Sequence, residues 1–309
     1  MKSQKISSNL MLLTTAMIWG GAFVAQSVGM NYIGPITFVV VRSLLGGIVL
    51  IPCILWLKRK DRPSQLASTR AAEKKLLLWS GLCCGFALCI ASLFQQYGVM
   101  YTTVGKAGFI STLYILFVPL IAMFFGKKSP KLLWVSVGLA VIGMYFLCGT
   151  ETMSINKGDL LVLICALCFS GHILLIDYFS SRVDCLKLSC LQLFFCAFFG
   201  SVLMFICEKP TFTTIIAAAI PLLYAGVLSC GIAYTLQILG QKHSDPSVAS
   251  LLLSLESVVA VLAGWILLDQ TISLREFGGC VLVFAAILLA QLPDSLRIKK
   301  HHIRAFPEI

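Results

Sequence analysis

Long apolar runs separated by short polar connections dominate this chain. No charged residue occurs from Ile6 to Val41, Leu76 to Gly105, Ala107 to Gly126, Leu132 to Thr150, Leu188 to Cys207, Pro210 to Gln241 or Phe277 to Pro293. About 20 apolar residues in a helix cross a hydrocarbon core roughly 30 Å thick, so three of these runs are long enough to need more than one crossing, or a crossing plus a turn. A window of about 19 residues divides them into ten helices. They cover 9–28, 35–57, 76–97, 103–125, 131–149, 158–178, 187–207, 215–239, 246–268 and 273–291. The fold class is therefore all-α, a polytopic membrane protein. The first span is too long for a removable signal peptide and lacks a small-residue cleavage site, so it reads as a retained helix.

Within this apolar background, two ionisable residues are costly. In the span 246–268, Asp245 suits the N-cap and Pro246 the first helical position, which places Glu256 ten residues, or roughly 15 Å, into the membrane. Arg42 lies seven residues into the second helix, roughly 10 Å from the opposite face. A charge at such depth costs a few kcal/mol on insertion scales and calls for a partner or a function. Pro119, which lacks a backbone donor, predicts a bend in the fourth helix.

The pattern also repeats. FQQYGVMYTTVGKAGFISTL at 94–113 aligns with LQILGQKHSDPSVASLLLSL at 236–255 at an offset of 142, pairing Gln95 with Gln237. AMIWGGAF at 16–23 aligns with ALCFSGHI at 166–173 at an offset of 150, which pairs Arg42 with Gln192. The chain is thus a duplicated five-helix unit, with repeats at 9–149 and 158–291 and a cytoplasmic tail at 292–309. Five is odd, so the second unit enters the membrane from the other side, and the repeats are inverted. Two such units about an axis in the membrane plane predict a central cavity that faces either side in turn.

Composition agrees: 59% of residues are hydrophobic, 12% are charged and the mean hydropathy is +0.94, values foreign to a soluble domain. The net charge of +11 raises the question of nucleic acid, but its distribution answers against that. With the N-terminus inside, 19 basic residues fall on cytoplasmic segments, and only Lys157, Lys209 and Arg275 fall on outer loops. That bias places both termini in the cytoplasm. The segment from Leu57 to Lys75 is expected to be a solvated linker. The 13 cysteines lie mainly in apolar helices, where they act as small hydrophobes, and the Cys165–Cys168 pair has no companion pair of ligands. Neither a metal nor a cofactor is expected.

The ten-helix, five-plus-five plan resembles the drug/metabolite transporter superfamily, specifically proteins with two EamA-type domains. The resemblance spans about 9–291. It is carried by Trp19-Gly20-Gly21, by Pro35 followed by Arg42, by GKAGFISTLYILFVP at 105–119, and by DPSVASLLLSLES at 245–257 followed by Asp269. Two departures are visible: Ser257 stands where the family often has proline after the acid, which leaves a kink there open, and Asp269 stands where it often has Glu. The resemblance implies export of a metabolite or toxic compound.

Candidate substrate-binding or coupling residues are Glu256, Arg42, Trp19, Gln95, Gln237, Tyr114, His172 and Tyr234, with Gln26 and Gln96 as further polar lining. Glu256 is expected to bind a proton or a substrate ammonium, the alternative being a structural pair with a neighbouring helix. Arg42 is expected near the cavity, paired with Glu256 directly or through water, or else as an anchor. Lys106 is expected to snorkel to the outer surface.

The function expected from these features is secondary transport of a small organic metabolite or drug-like solute by alternating access. The partners are that solute, the lipid bilayer and protons as candidate coupling ion, without nucleic acid. Compact loops point to a bacterial plasma membrane, with an organelle membrane as the alternative. An intramembrane enzyme acting on a lipid would need a cluster of acids, histidines or a phosphate loop, and none is found. A scaffold or sensor would need a larger soluble part.

Overall fold

The computed structural model describes residues 2–58, 67–126, 131–148, 156–268 and 273–290. These form a bundle of ten membrane helices in two inverted five-helix repeats, with no strand among the described residues. The first repeat contains α1 (Lys2–Gly29), α2 (Pro35–Lys58), α3 (Ala67–Val99), α4 (Val104–Phe124, in two pieces) and α5 (Lys131–Cys148). The second contains α6 (Lys157–Ser180), α7 (Cys185–Cys207), α8 (Ala219–Gln241), α9 (Pro246–Leu268, in two pieces) and α10 (Leu274–Ala290). Eight of the ten are long and apolar enough to cross a membrane, while α5 and α10 carry shorter apolar stretches, 131–143 and 277–289. Asp269 and the tail 292–309 lie outside the described residues.

Helix–helix contacts obey an exchange rule. Contacts of α1 with α8 and α9 are matched by those of α6 with α3 and α4, and α2 with α8 is matched by α7 with α3. The pairs α2–α7, α4–α9 and α5–α10 map onto themselves. This is the signature of a two-fold relation between the repeats. The most extensive contacts all join one repeat to the other, so each repeat completes its core with its counterpart. Large apolar side chains such as Phe124, Phe205, Ile206 and Ile220 face outward, as a lipid-facing surface requires.

Three local features depart from the expected pattern. First, α3 begins at Ala67, inside the expected linker, because Ala71, Ala72, Glu73, Lys74 and Lys75 are strong helix formers that continue a turn already nucleated. Only 59–66 remains, and it lies outside the described residues.

Second, α4 breaks between Ser111 and Tyr114, not at Pro119, which sits inside the second piece. Helix α9 breaks at Ser254. Thr112 and Ser254 are 142 residues apart, so the breaks are repeat-equivalent. They share a contact: the Thr112 hydroxyl donates to Phe109 O at 2.8 Å and the Ser254 hydroxyl to Leu251 O at 2.7 Å. Hydroxyls bonded back into the preceding turn draw carbonyls from the ladder and bend the helix. The kink left open beside Glu256 is therefore present without proline.

Third, α8 contains a π-helical stretch from Tyr224 to Ala233. Gly226 and Gly46 let this stretch approach α2 closely: a Cβ on Gly46 would lie 2.6 Å from Cys230 Cβ and 2.9 Å from Gly226 O. No such distortion interrupts α3, the repeat counterpart of α8.

Candidate functional site

The two helix breaks converge on the middle of the bundle. Each break sits immediately before a polar side chain at the same repeat position: Tyr114 opens the second piece of α4, and Glu256 lies in the first turn of the second piece of α9. The Tyr114 hydroxyl donates to Glu256 Oε1 at 3.0 Å, and both side chains are buried. Glu256 is thereby held from the opposite repeat, across the pseudo-two-fold axis.

Around this pair lies a narrow cavity of about 30 Å3, room for the centres of one or two waters. Its wall is built by Trp19, Ala22, Phe23 and Gln26 of α1, Arg42 of α2, Gln95 of α3, Tyr114 of α4, Phe169 and Ile173 of α6, Ser229, Tyr234 and Gln237 of α8, and Glu256 of α9. Both repeats thus supply the lining, and Gln95 and Gln237 enter it from equivalent positions.

Helix α1 is fixed against the distorted part of α8 by three hydrogen bonds. Trp19 Nε1 donates to Ser229 O at 3.3 Å, the Thr15 hydroxyl to Ala233 O at 3.1 Å and the Tyr224 hydroxyl to Ile18 O at 3.1 Å. The Trp19 and Tyr234 rings then pack 4.8 Å apart, forming an aromatic wall. Gly20 brings α1 onto α9: a Cβ there would lie 2.8 Å from the backbone oxygen of Glu256.

Seven of the eight candidates from sequence, Glu256, Arg42, Trp19, Gln95, Gln237, Tyr114 and Tyr234, therefore share one cavity. His172 does not reach its wall. Its ring lies behind Tyr234, 6.1 Å between centroids, and Nε2 meets Gln192 Oε1 at 3.1 Å. Gln96 likewise turns aside and donates to Gln26 O at 3.3 Å. Arg42 and Glu256 line the same space without forming an ion pair among the described residues. Phe23, Phe169, Ile173 and Ser229 were missed by sequence reasoning because apolar and small residues are ubiquitous in these helices. Repeat alignment held a usable signal for one of them, pairing Phe169 with Trp19.

The end of the bundle where α1 stops is bridged by polar contacts between repeats. Lys106 Nζ and Asp159 Oδ2 are 2.9 Å apart, and the Thr102 hydroxyl donates to Asp159 Oδ1 at 2.7 Å. Lys106 thus has an acidic partner in α6 in addition to the solvent contact expected of it. On the other flank, Glu208 caps α2, accepting from Ile36 N at 3.0 Å, Thr37 N at 2.9 Å and the Thr37 hydroxyl at 2.6 Å. Among the described residues, no group of acids, histidines and cysteines is placed to hold a metal.

Comparison with known proteins gives a consistent picture. The model of the EamA-like transporter family matches this chain twice, over residues 6–149 and 156–292. A protein of Archaeoglobus fulgidus described as an uncharacterized transporter is 28% identical over 301 residues, covering 94% of this chain and 87% of the relative. The uncharacterized transporter YoaV of Bacillus subtilis is 25% identical over 293 residues, covering 93% and 97%. A solved crystal structure, 18% identical, superposes with a TM-score of 0.72 over 93% of this chain and 98% of its own, a likeness of fold.

Proposed function

Since the chain belongs to the EamA-like transporter family, we propose that it is a secondary transporter that moves a small organic metabolite or drug-like solute by alternating access. The observation that carries this reading is the cavity at the repeat interface, where Tyr114 and Glu256 meet from equivalent positions. Inverted repeats place their binding site at the midplane beside discontinuous helices, and the breaks in α4 and α9, one in each repeat, support that reading.

The cavity is too small for an organic solute as it stands, so loading requires the repeats to move apart. The contacts of Lys106 with Asp159 and of Glu208 with α2 tie the repeats at the end we assign to the outside, on the strength of the basic residues at the other end. Opening to the outside breaks the Lys106–Asp159 link. Seven of the candidate residues then serve as the binding and coupling set, with Glu256 as the group that exchanges a proton. His172 supports that set from behind Tyr234. Export from the cytoplasm across the plasma membrane, with both termini inside, completes the proposal.

Purified protein in liposomes tests it. Counterflow of a labelled solute driven by its unlabelled form is expected. Turnover of a membrane lipid without solute flux would instead establish an enzyme, and neither activity would leave a scaffold.

A further inference from the structure

Among the cavity residues with an unpartnered buried polar atom, Gln26 at Oε1, Gln237 at Oε1 and Arg42 at Nε, only Arg42 carries a charge. It is only 3% exposed, and its Nε has no hydrogen-bond partner among the described residues. A guanidinium stays charged in proteins, and a buried charge is costly unless it is paired. The expected partner, Glu256, is in the same cavity but is engaged by Tyr114, and no ion pair joins it to Arg42. The Phe38 ring, 5.9 Å from the guanidinium carbon, offers only a cation–π contact from the same helix. A planar fork of donors, buried beside a cavity with a donor unused, matches a carboxylate.

The remaining wall describes the rest of the ligand. Trp19, Phe23, Phe169 and Tyr234 offer aromatic surfaces suited to a flat apolar body. From these contacts we infer that the solute is a small organic anion, its carboxylate held by Arg42 and its body against the aromatic wall. This rests on the carrier reading above and narrows its substrate class.

Glu256 has a defined place in this scheme. An ionised carboxylate there would repel the bound anion, so the bound form favours a neutral Glu256. The anion reading therefore opposes one in which Glu256 holds a substrate ammonium, and the two make opposite forecasts for the same variants.

The test measures binding to the purified, full-length protein by thermal shift and calorimetry with three probes of one shape: benzoate, benzamide and benzylamine. A series of other monocarboxylates of graded size extends the anionic arm. A monocarboxylate is expected to stabilise the wild type, with the neutral and cationic probes weaker by about tenfold or more. Arg42→Gln is expected to weaken that binding about tenfold, and Arg42→Lys, which keeps the charge but loses the fork, by less. Glu256→Gln, which removes the carboxylate that would repel the anion, is expected to bind the monocarboxylate more tightly than the wild type. Arg42→Lys supplies the readout if Arg42→Gln does not fold.

The inference is overturned if no monocarboxylate binds, if benzylamine binds in preference, or if neither Arg42 variant alters anion binding. Counterflow of benzamide or benzylamine in liposomes would leave the carrier reading standing while sinking this one.

Discussion

Tyr114 and Glu256, 142 residues apart and at the same position of the two repeats, bond to each other at 3.0 Å across the pseudo-two-fold axis. One repeat thus supplies the acid and the other the donor that orients it. Duplication has produced a pair, not two copies of one site.

Separating the members of this pair should separate their roles. Glu256→Gln is expected to abolish proton-coupled flux while the protein still accumulates in the membrane. Tyr114→Phe removes a hydrogen bond to a carboxylate, a contact worth about 1.5–3 kcal/mol, and should slow coupled transport about tenfold without abolishing it. Solute uptake into liposomes under an imposed proton gradient, set against exchange without one, checks both. Unaltered transport in Glu256→Gln would remove this residue from the mechanism.

Helix breaks make a second prediction. Thr112→Val and Ser254→Ala delete the hydroxyls that bond to Phe109 O and Leu251 O. Each should favour continuous helix and shift the polar pair relative to the cavity. Transport is expected to fall several-fold while the melting temperature holds or rises, since relieving a functional distortion commonly trades activity for stability. Loss of stability in step with activity would assign the hydroxyls to packing alone.

Gly20 allows a third. A methyl group there meets Val259 and the Glu256 backbone oxygen, so Gly20→Ala should push α1 from α9 and cost about 1–3 kcal/mol. Gly138, with nothing near its missing Cβ, is the internal control, and Gly138→Ala should be close to neutral. Melting of the two variants in detergent measures the difference.

Contacts at the end opposite the start of α1 provide a fourth. Lys106→Met and Asp159→Asn should each destabilise, and the double variant should cost less than their sum, with a coupling of about 1 kcal/mol. Asp159 also accepts from Asn156 N at the start of α6, so its variant should be the more damaging single change. A double-mutant cycle on melting resolves this; strict additivity would show that the pair contributes no link.

Much of this was legible in the chain because its strongest signals are physical necessities of a membrane. Apolar length gave ten helices, and the offset of 142 brought Gln95 and Gln237 to one cavity before any coordinates did. Extended by one residue beyond the aligned stretch, the same offset pairs Tyr114 with Glu256, but alignment cannot say whether equivalent residues touch. That depends on how closely α4 and α9 cross, which is set by packing. The breaks escaped notice because proline is the conspicuous helix breaker in sequence, whereas Thr112 and Ser254 act through hydroxyls that are just as often harmless. His172 illustrates the converse: a polar residue at cavity depth can turn to a neighbour, here Gln192, and stay outside the cavity wall.

The interlocked contacts described for the ten helices have a consequence for assembly. A repeat released alone would expose the faces it normally spends on its twin, and the bilayer offers no water to drive them shut. The amino-terminal five helices must therefore wait, incompletely folded, until the later five emerge from the ribosome. For that interval, the nascent protein's survival rests on whatever shields those unfinished faces.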